Sequence, residues 1–412
     1  MRQRSADLKV RPTYGARHHT PYVGRTFRSG IVVLALLASL SGRAQQPVPF
    51  ARIGAVVQAA IAQRELPGAV VLIGQDDRVV YREAFGFRAV QPAAEPMTDD
   101  TIFDVASLTK VVATTTSVMQ LVEQGYIRLK DPVSKFVPGF GRLGKQTITI
   151  QHLLTHTSGL PPDLPLEVEF TGWDEAIRRA TVLRTTVAPG ARVIYSDINF
   201  FLLGHIVSRV SGERLDQYVK AHIFDPLEMR DSGFLPAESQ HARIAPTERC
   251  RPLAWPCGQP DAPFLRGIVH DPTARRMGNF AGHAGLFSTA ADLSRFCQML
   301  LNGGALGRAR ILSPAAVERM TQPSTPTGVK DVRGLGWDIE SSNSSNRGDL
   351  FPIGTSFGHT GWTGTSLWLD PRSRSYIIFL SNRVHPDARG DVGALRGRVA
   401  TIAAAVLSEM RR

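Results

Sequence analysis

Apolar positions near the start of the chain recur at helical spacing. Ile53, Val56, Val57, Ala60 and Ile61 share one face of a 3.6-residue repeat, which predicts an amphipathic helix. The pattern then changes to strand. Ala69-Val-Val-Leu-Ile-Gly74 and Arg78-Val-Val-Tyr81 flank Gln75-Asp-Asp77, whose turn-forming residues predict a hairpin. A helix is expected to start near Ser107, to run unbroken, and to stop at Gly125. From there to about residue 280 the pattern is helices joined by long loops. Strands return at Gly334-Leu-Gly-Trp-Asp-Ile339, Gly364-Thr-Ser-Leu-Trp-Leu369 and Tyr376-Ile-Ile-Phe-Leu380. A closing helix carries Leu395, Val399, Ile402, Val406 and Met410 as one stripe. Strands at both ends with helices between predict an α/β (α+β) fold: an antiparallel sheet flanked by N- and C-terminal helices, with an inserted, mainly helical region. The expected organisation is a single domain over 47–412. Its α/β part covers about 47–115 and 285–412, and its helical part about 116–284.

The 412 residues are 43% hydrophobic and 20% charged, an ordinary globular composition. The net charge of +12 changes the picture only at the N-terminus. Residues 1–44 hold eight basic side chains against Asp7, leaving +5 for the remainder, where no Lys/Arg block occurs. That excludes a nucleic-acid footprint as the expected role. Ile31-Val-Val-Leu-Ala-Leu-Leu-Ala-Ser-Leu40 follows Arg25 and Arg28 and precedes Ser41-Gly-Arg-Ala44, the order of a secretory signal peptide. Residues 1–44 are therefore expected to be a signal peptide or an uncleaved anchor. Membrane association would come only through that segment, and the protein would be periplasmic or secreted.

Candidate chemistry begins at Asp104-Val-Ala-Ser-Leu-Thr-Lys110. Seven lysines occur in the chain, and only Lys110 has a serine three residues before it, Ser107. On a helix, i and i+3 face each other. A hydroxyl is a weak nucleophile until a neighbouring group takes its proton, and a helix N-terminus offers free N–H groups to a developing oxyanion. Two more segments join it. Val193-Ile-Tyr-Ser-Asp-Ile-Asn199 presents Tyr195 just before a helix, and Phe357-Gly-His-Thr-Gly-Trp362 presents His359-Thr360-Gly361 at the start of a strand.

S-x-x-K, Y-x-[ND] and [KH]-T-G in this order resemble the serine β-lactamase and penicillin-binding-protein superfamily, most closely its class C branch with related DD-peptidases and esterases. The runs His152-Leu-Leu-Thr-His-Thr-Ser-Gly-Leu160 and Gly282-His-Ala-Gly-Leu-Phe-Ser-Thr-Ala290 are similar to that family too. The resemblance implies a β-lactamase/transpeptidase-like fold and a catalytic domain that needs no cofactor or metal. It implies Ser107 as nucleophile, Lys110 as cation or base, and Tyr195 as a rival base. By family position, Thr360 would bond the substrate, Gly361 would admit a close backbone, and the Trp362 N–H would join that of Ser107 as an oxyanion hole. His359 stands where many β-lactamases carry lysine, so its help to a carboxylate would depend on pH. Asp197 replaces the usual asparagine and, being acceptor-only, could hold Lys110 protonated. These two departures favour an esterase or peptidase/amidase acting on esters or cell-wall peptides. The alternatives are a class C-like β-lactamase and a non-catalytic fragment-binding relative. The expected partner is a small-molecule or peptide substrate, and the expected state is a monomer.

Other features call for plainer roles. His152 and His156 stand at i, i+4, but no glutamate lies between them, so H-E-x-x-H is absent and zinc is not expected. His270, Asp271 and His283 flank glycine-rich turns and are expected to fix loops. Ser341-Ser-Asn-Ser-Ser-Asn346 is expected to be a mobile polar loop. Cys250 and Cys257 could close a small ring or remain free thiols, and Cys297 is expected to be buried on a helix.

Overall fold

The computed structural model describes residues 50–250 and 264–410. The segment expected to direct export, residues 1–44, lies outside them, as does Cys257. Described residues from Phe50 onward belong to one compact unit. The first helix, α1 (Ala51–Ala62), leads into β1 (Gly68–Gln75), β2 (Arg78–Ala89) and β3 (Glu95–Pro96). Much later come β4 (Val332–Arg333), β5 (Asp338–Glu340), β6 (Phe357–Thr360), β7 (Ser366–Asp370) and β8 (Ser375–Ser381). These eight strands form one sheet in the order β3-β2-β1-β8-β7-β6-β5-β4, with every pair antiparallel. β1 lies against β8 from Ala69 opposite Ser381 to Gln75 opposite Ser375, so the two ends of the sequence close one sheet.

All eight residues of β1 are buried, because both faces of the sheet are covered. Side chains on a strand alternate between faces. Val70 and Leu72 enter the large core shared with the helical region, together with Ile378 and Leu380 of β8. Ala69, Val71 and Ile73 enter a second core, where they meet Ile53, Val57 and Ala60 of α1. The same core takes Leu395, Val399 and Ala403 from the last helix, Gly393–Glu409. The stripe expected on that helix departs at its end, since Met410 caps the helix and is exposed.

Three local expectations need correction. The helix after Ser107 is continuous, but Lys110–Thr115 is wound as a π-helix before α2 (Thr116–Glu123). Within it Thr116 and Ser117 are buried, and their hydroxyls donate to the Val111 and Ala113 carbonyls. Gly125, at φ 80°, follows its end as expected. The strand expected over 334–339 forms only at its end: 334–337 is a turn between β4 and β5, with the Gly334 N–H donating to the Trp337 carbonyl, and Asp338 and Ile339 open β5. The expected mobile loop at 341–346 is fixed: Ser341 and Ser344 hydroxyls bond the buried Asp338 at 2.7 and 3.0 Å, and Ser344 and Asn346 are buried. Cys297 is a buried free thiol, and Cys250 is disulfide-bonded.

The helical region packs around α3 (Asp197–Ser211), whose Ile198, Phe200, Phe201, Leu203 and Ile206 are all buried. A loop at 281–285 crosses it closely. A Cβ on Gly282 would lie 2.0 Å from the Phe200 carbonyl oxygen, so only glycine permits the crossing. Among the described residues no helix is long and apolar enough to cross a membrane.

Candidate active site

Ser107 sits in the turn entering the π-helix, preceded by Ala106 at φ 47°, a conformation that costs a non-glycine residue energy and persists only where its surroundings enforce it. The surroundings are the Asp104 carboxylate, which accepts the Ala106 N–H at 2.9 Å, and the turn after β6. Thr363 Oγ1 donates to the Asp104 carbonyl and Thr365 Oγ1 to the Val105 carbonyl. Gly361 is required at this seam: a Cβ there would meet Thr365 Oγ1 at 2.1 Å and the Val105 oxygen at 2.6 Å. His359 and Thr360 therefore lie at the end of β6, not at its start as expected. Among the described residues, neither the Ser107 nor the Trp362 amide donates a hydrogen bond inside the protein, which leaves both for an oxyanion. The Trp362 side chain itself is exposed.

Lys110 is fully buried. Its Nζ donates to Ser107 Oγ at 2.9 Å and to the His283 carbonyl at 3.2 Å, and forms an ion pair with Asp197 Oδ1 at 2.6 Å. Its Nζ also lies 4.9 Å from the centroid of the Tyr195 ring. Burial by itself would favour the neutral amine, but Asp197 and Tyr195 outweigh it and hold the lysine above its ordinary value. Lys110 is thus a cation that orients the serine oxygen.

Tyr195 is placed by a neighbour to which the sequence assigned no role. The buried His156 ring stacks on it, with centroids 4.3 Å apart and planes at 23°. His156 Nδ1 accepts the Ser196 N–H at 3.0 Å, and the Ile194 N–H donates to the His156 carbonyl at 2.8 Å. Two cations lie over the phenol ring: Lys110 Nζ at 4.9 Å from its centroid and the Arg333 guanidinium at 5.9 Å. His152 instead caps a short helix with Thr149, and among the described residues no group of three or more His, Cys, Asp or Glu is placed to hold a metal.

His359 is buried, and burial together with Arg333 and Lys110 pushes it well below the usual imidazole value. It is neutral near pH 7, so the protonated form considered from the sequence is not what this strand end presents. Nδ1 lies 2.8 Å from the Thr360 carbonyl, an acceptor, which places the proton on Nδ1. Among the described residues Nε2 has no hydrogen-bond partner.

A cleft of ≈ 530 Å³ opens over these groups, lined among others by Ser107, Tyr195, His359, Arg333, Arg383 and Arg396. The three arginines were missed in the sequence, because nothing in their spacing marks them. Arg383 lies over the Trp362 ring at 4.8 Å, and Arg396 donates to the Thr365 carbonyl while its buried Nε has no protein partner. The structure thus brings Ser107, Lys110, Tyr195, Asp197, His359, Thr360, Gly361 and Trp362 to one place.

An antiparallel sheet bordered by a helical region, with a serine one turn before a buried lysine at their seam, is the framework of the serine acyl-transfer hydrolases. Residues 53–401 match the family model described as Beta-lactamase. A curated relative from Escherichia coli (strain K12), named "Putative D-alanyl-D-alanine carboxypeptidase", is 32% identical over 348 residues, covering 77% of this chain and 79% of its own. The octameric penicillin-binding protein homologue from Pyrococcus abyssi superposes with a TM-score of 0.68 at 25% identity, over 87% of this chain and 77% of its own. The hydrolase EstCE1, described as having promiscuous acyltransferase activity, shares the fold at a TM-score of 0.68 and 24% identity, over 87% of this chain and 98% of its own. The chain belongs to the serine β-lactamase and penicillin-binding-protein superfamily.

Proposed function

We propose that the protein is an exported serine hydrolase that acts by acyl transfer through Ser107 on small anionic substrates, D-alanyl peptides of the cell wall foremost, and works as a monomer. The observation that carries the reaction is the Lys110 ammonium donating to Ser107 Oγ at 2.9 Å while paired to Asp197. Ser107 Oγ attacks the carbonyl carbon while its proton passes to the Tyr195 oxygen, which must be ionised beside the Lys110 ammonium to accept it. The Ser107 and Trp362 amides receive the oxyanion. The bond to the leaving amine breaks as that amine takes the proton, and water then hydrolyses the acyl-enzyme.

The substrate class rests on the cleft. With His359 neutral, the positive charge facing a substrate comes from Arg333, Arg383 and Arg396, and guanidinium suits a planar carboxylate. The E. coli relative's name points to the same chemistry. A second reading, an esterase, draws on that same neutral histidine, since an uncharged strand end suits an uncharged ester.

The test is intact-mass analysis after incubation with a D-alanyl-D-alanine peptide, a p-nitrophenyl ester and a penicillin. Acyl adducts on the wild type and none on Ser107→Ala are expected, with turnover in that variant down roughly 10⁴-fold or more. A wild type that takes up no acyl group, or a Ser107→Ala variant that still does, overturns the reaction. Faster turnover of neutral esters than of the peptide overturns the anionic substrate class alone.

A further inference from the structure

Behind Lys110, away from the cleft, lies a second set of charges that the proposed reaction does not use. His283 is 1% exposed, and its Nε2 meets Asp271 Oδ1 at 2.9 Å. The main chain of the same residue supplies the carbonyl that receives Lys110 Nζ. Its loop is fastened to the nucleophile segment on both sides. Thr114 Oγ1 donates to the Gly282 carbonyl at 2.6 Å, the Leu286 N–H donates to Thr109 Oγ1 at 3.1 Å, and the Val105 N–H donates to the Leu286 carbonyl at 3.0 Å. Gly282 presses on α3 without room for a side chain. Asp271 is itself fixed, accepting the Ala274 N–H at 2.7 Å.

Resting on the acyl-transfer reading, we propose that His283 is a positioning residue for Lys110. Paired with Asp271, it holds its own carbonyl against the ammonium and keeps the chamber behind the serine electrically balanced, so that the pair sets the pH response of acylation. Burial opposes a charge on His283, but Asp271 outweighs it and favours the imidazolium. Burial likewise opposes ionisation of Asp271, and His283 outweighs that. The pair is therefore a neutral sum of two charges. The charged groups that act on the pair are Lys110, Asp197, Asp163, Asp104 and Arg275. Removing the imidazole alone leaves Asp271, whose charged form the Ala274 N–H and the Lys110 ammonium still favour, as an uncompensated anion. The base that takes the Ser107 proton then loses its own proton less readily, and the ascending limb of acylation moves to higher pH. Removing both charges restores the sum.

The experiment measures acylation rate against pH, with fluorescent penicillin and a p-nitrophenyl ester as probes, for wild type, H283Q, D271N and D271N/H283Q, each checked by thermal melt. For H283Q we expect roughly tenfold slower acylation and a midpoint raised by about one pH unit. For D271N and for the double variant, we expect slower acylation with the wild-type midpoint. A slower H283Q with an unmoved midpoint, or a double variant that stays shifted, overturns the proposal. Should H283Q not fold, D271N decides: its wild-type midpoint with reduced rate is expected, and an unchanged rate or a shifted midpoint overturns it. Failure of the acyl-transfer reading would look different, since the wild type itself would then take no probe.

Discussion

Two buried cations flank the same phenol and are built differently. Lys110 is paired with Asp197, whose side chain is 24% exposed, and its other contacts are the Ser107 hydroxyl and a carbonyl on a distant loop. Arg333 is paired at 3.3 Å with Asp338, which is 3% exposed and also held by two serines; its remaining bond goes to the Gly336 carbonyl. A lysine can share protons with neighbours, whereas a guanidinium stays charged. The first pair borders water and the reacting oxygen, so it suits proton traffic. The second sits in the cleft wall with its carboxylate tied to two serines, so it suits a fixed positive potential and the integrity of the β4–β5 corner. Identical net charge thus serves two ends, and what separates them is the chemistry of the cation and the partners of its carboxylate.

The largest effect that would break this comparison is on Lys110. Lys110→Met is expected to lower acylation by ~10²–10⁴-fold, read by stopped-flow labelling, with a smaller change in melting temperature because Asp197 can rehydrate. Arg333→Met should invert the balance. It leaves Asp338 buried without its cation, at about 3–5 kcal/mol of unfolding free energy by urea titration, and Arg333→Met/Asp338→Asn should regain most of that. If Arg333→Met melts like the wild type, or Lys110→Met acylates normally, the two pairs do not divide the work this way.

Smaller effects sharpen it through pH. His359 is depressed in the fold, so the unfolded chain binds the proton more readily and stability declines as pH drops below about 6.5. His359→Gln should flatten this decline, seen as a smaller loss of melting temperature between pH 7.5 and 5.5. Asp163, which accepts Thr273 Oγ1 at 2.7 Å, has the opposite sign. Burial, with Asp271 and Asp197 nearby, pushes it up to about 7. The native state then keeps a proton that the unfolded chain releases, and stability declines as pH rises from about 4 through 7. Asp163→Asn should therefore melt higher than wild type at pH 8 and gain less at pH 5.

Legibility in the sequence followed locality. Ser107 and Lys110 are one turn apart, so their meeting is a property of the helix itself, and the structure has them in contact. The apolar run of β1 and the stripe in the last helix are likewise written along single segments, and Val71, Leu395 and Val399 meet in one core. The π-helical turn was not legible, because it depends on threonines finding carbonyls, one of them on the 282 loop. Nor was the role of His156, read at i, i+4 from His152 although its partner Tyr195 lies far along the chain. The serines at 341–346 looked like a free loop because Asp338, which binds them, lies in a stretch expected to be plain strand.

By itself the sequence determined the elements, the serine–lysine turn, and the family to which three ordered motifs belong. Each of these is written in spacing along one segment, and spacing survives without knowledge of the fold. Only the tertiary structure decided the charges. Whether Lys110 is a cation, whether His359 is neutral, and which arginines line the cleft depend on burial and on partners brought from remote segments. An ionisable group's state is set by the dielectric and the charges within a few ångströms of it, and those neighbours do not exist until the chain has folded.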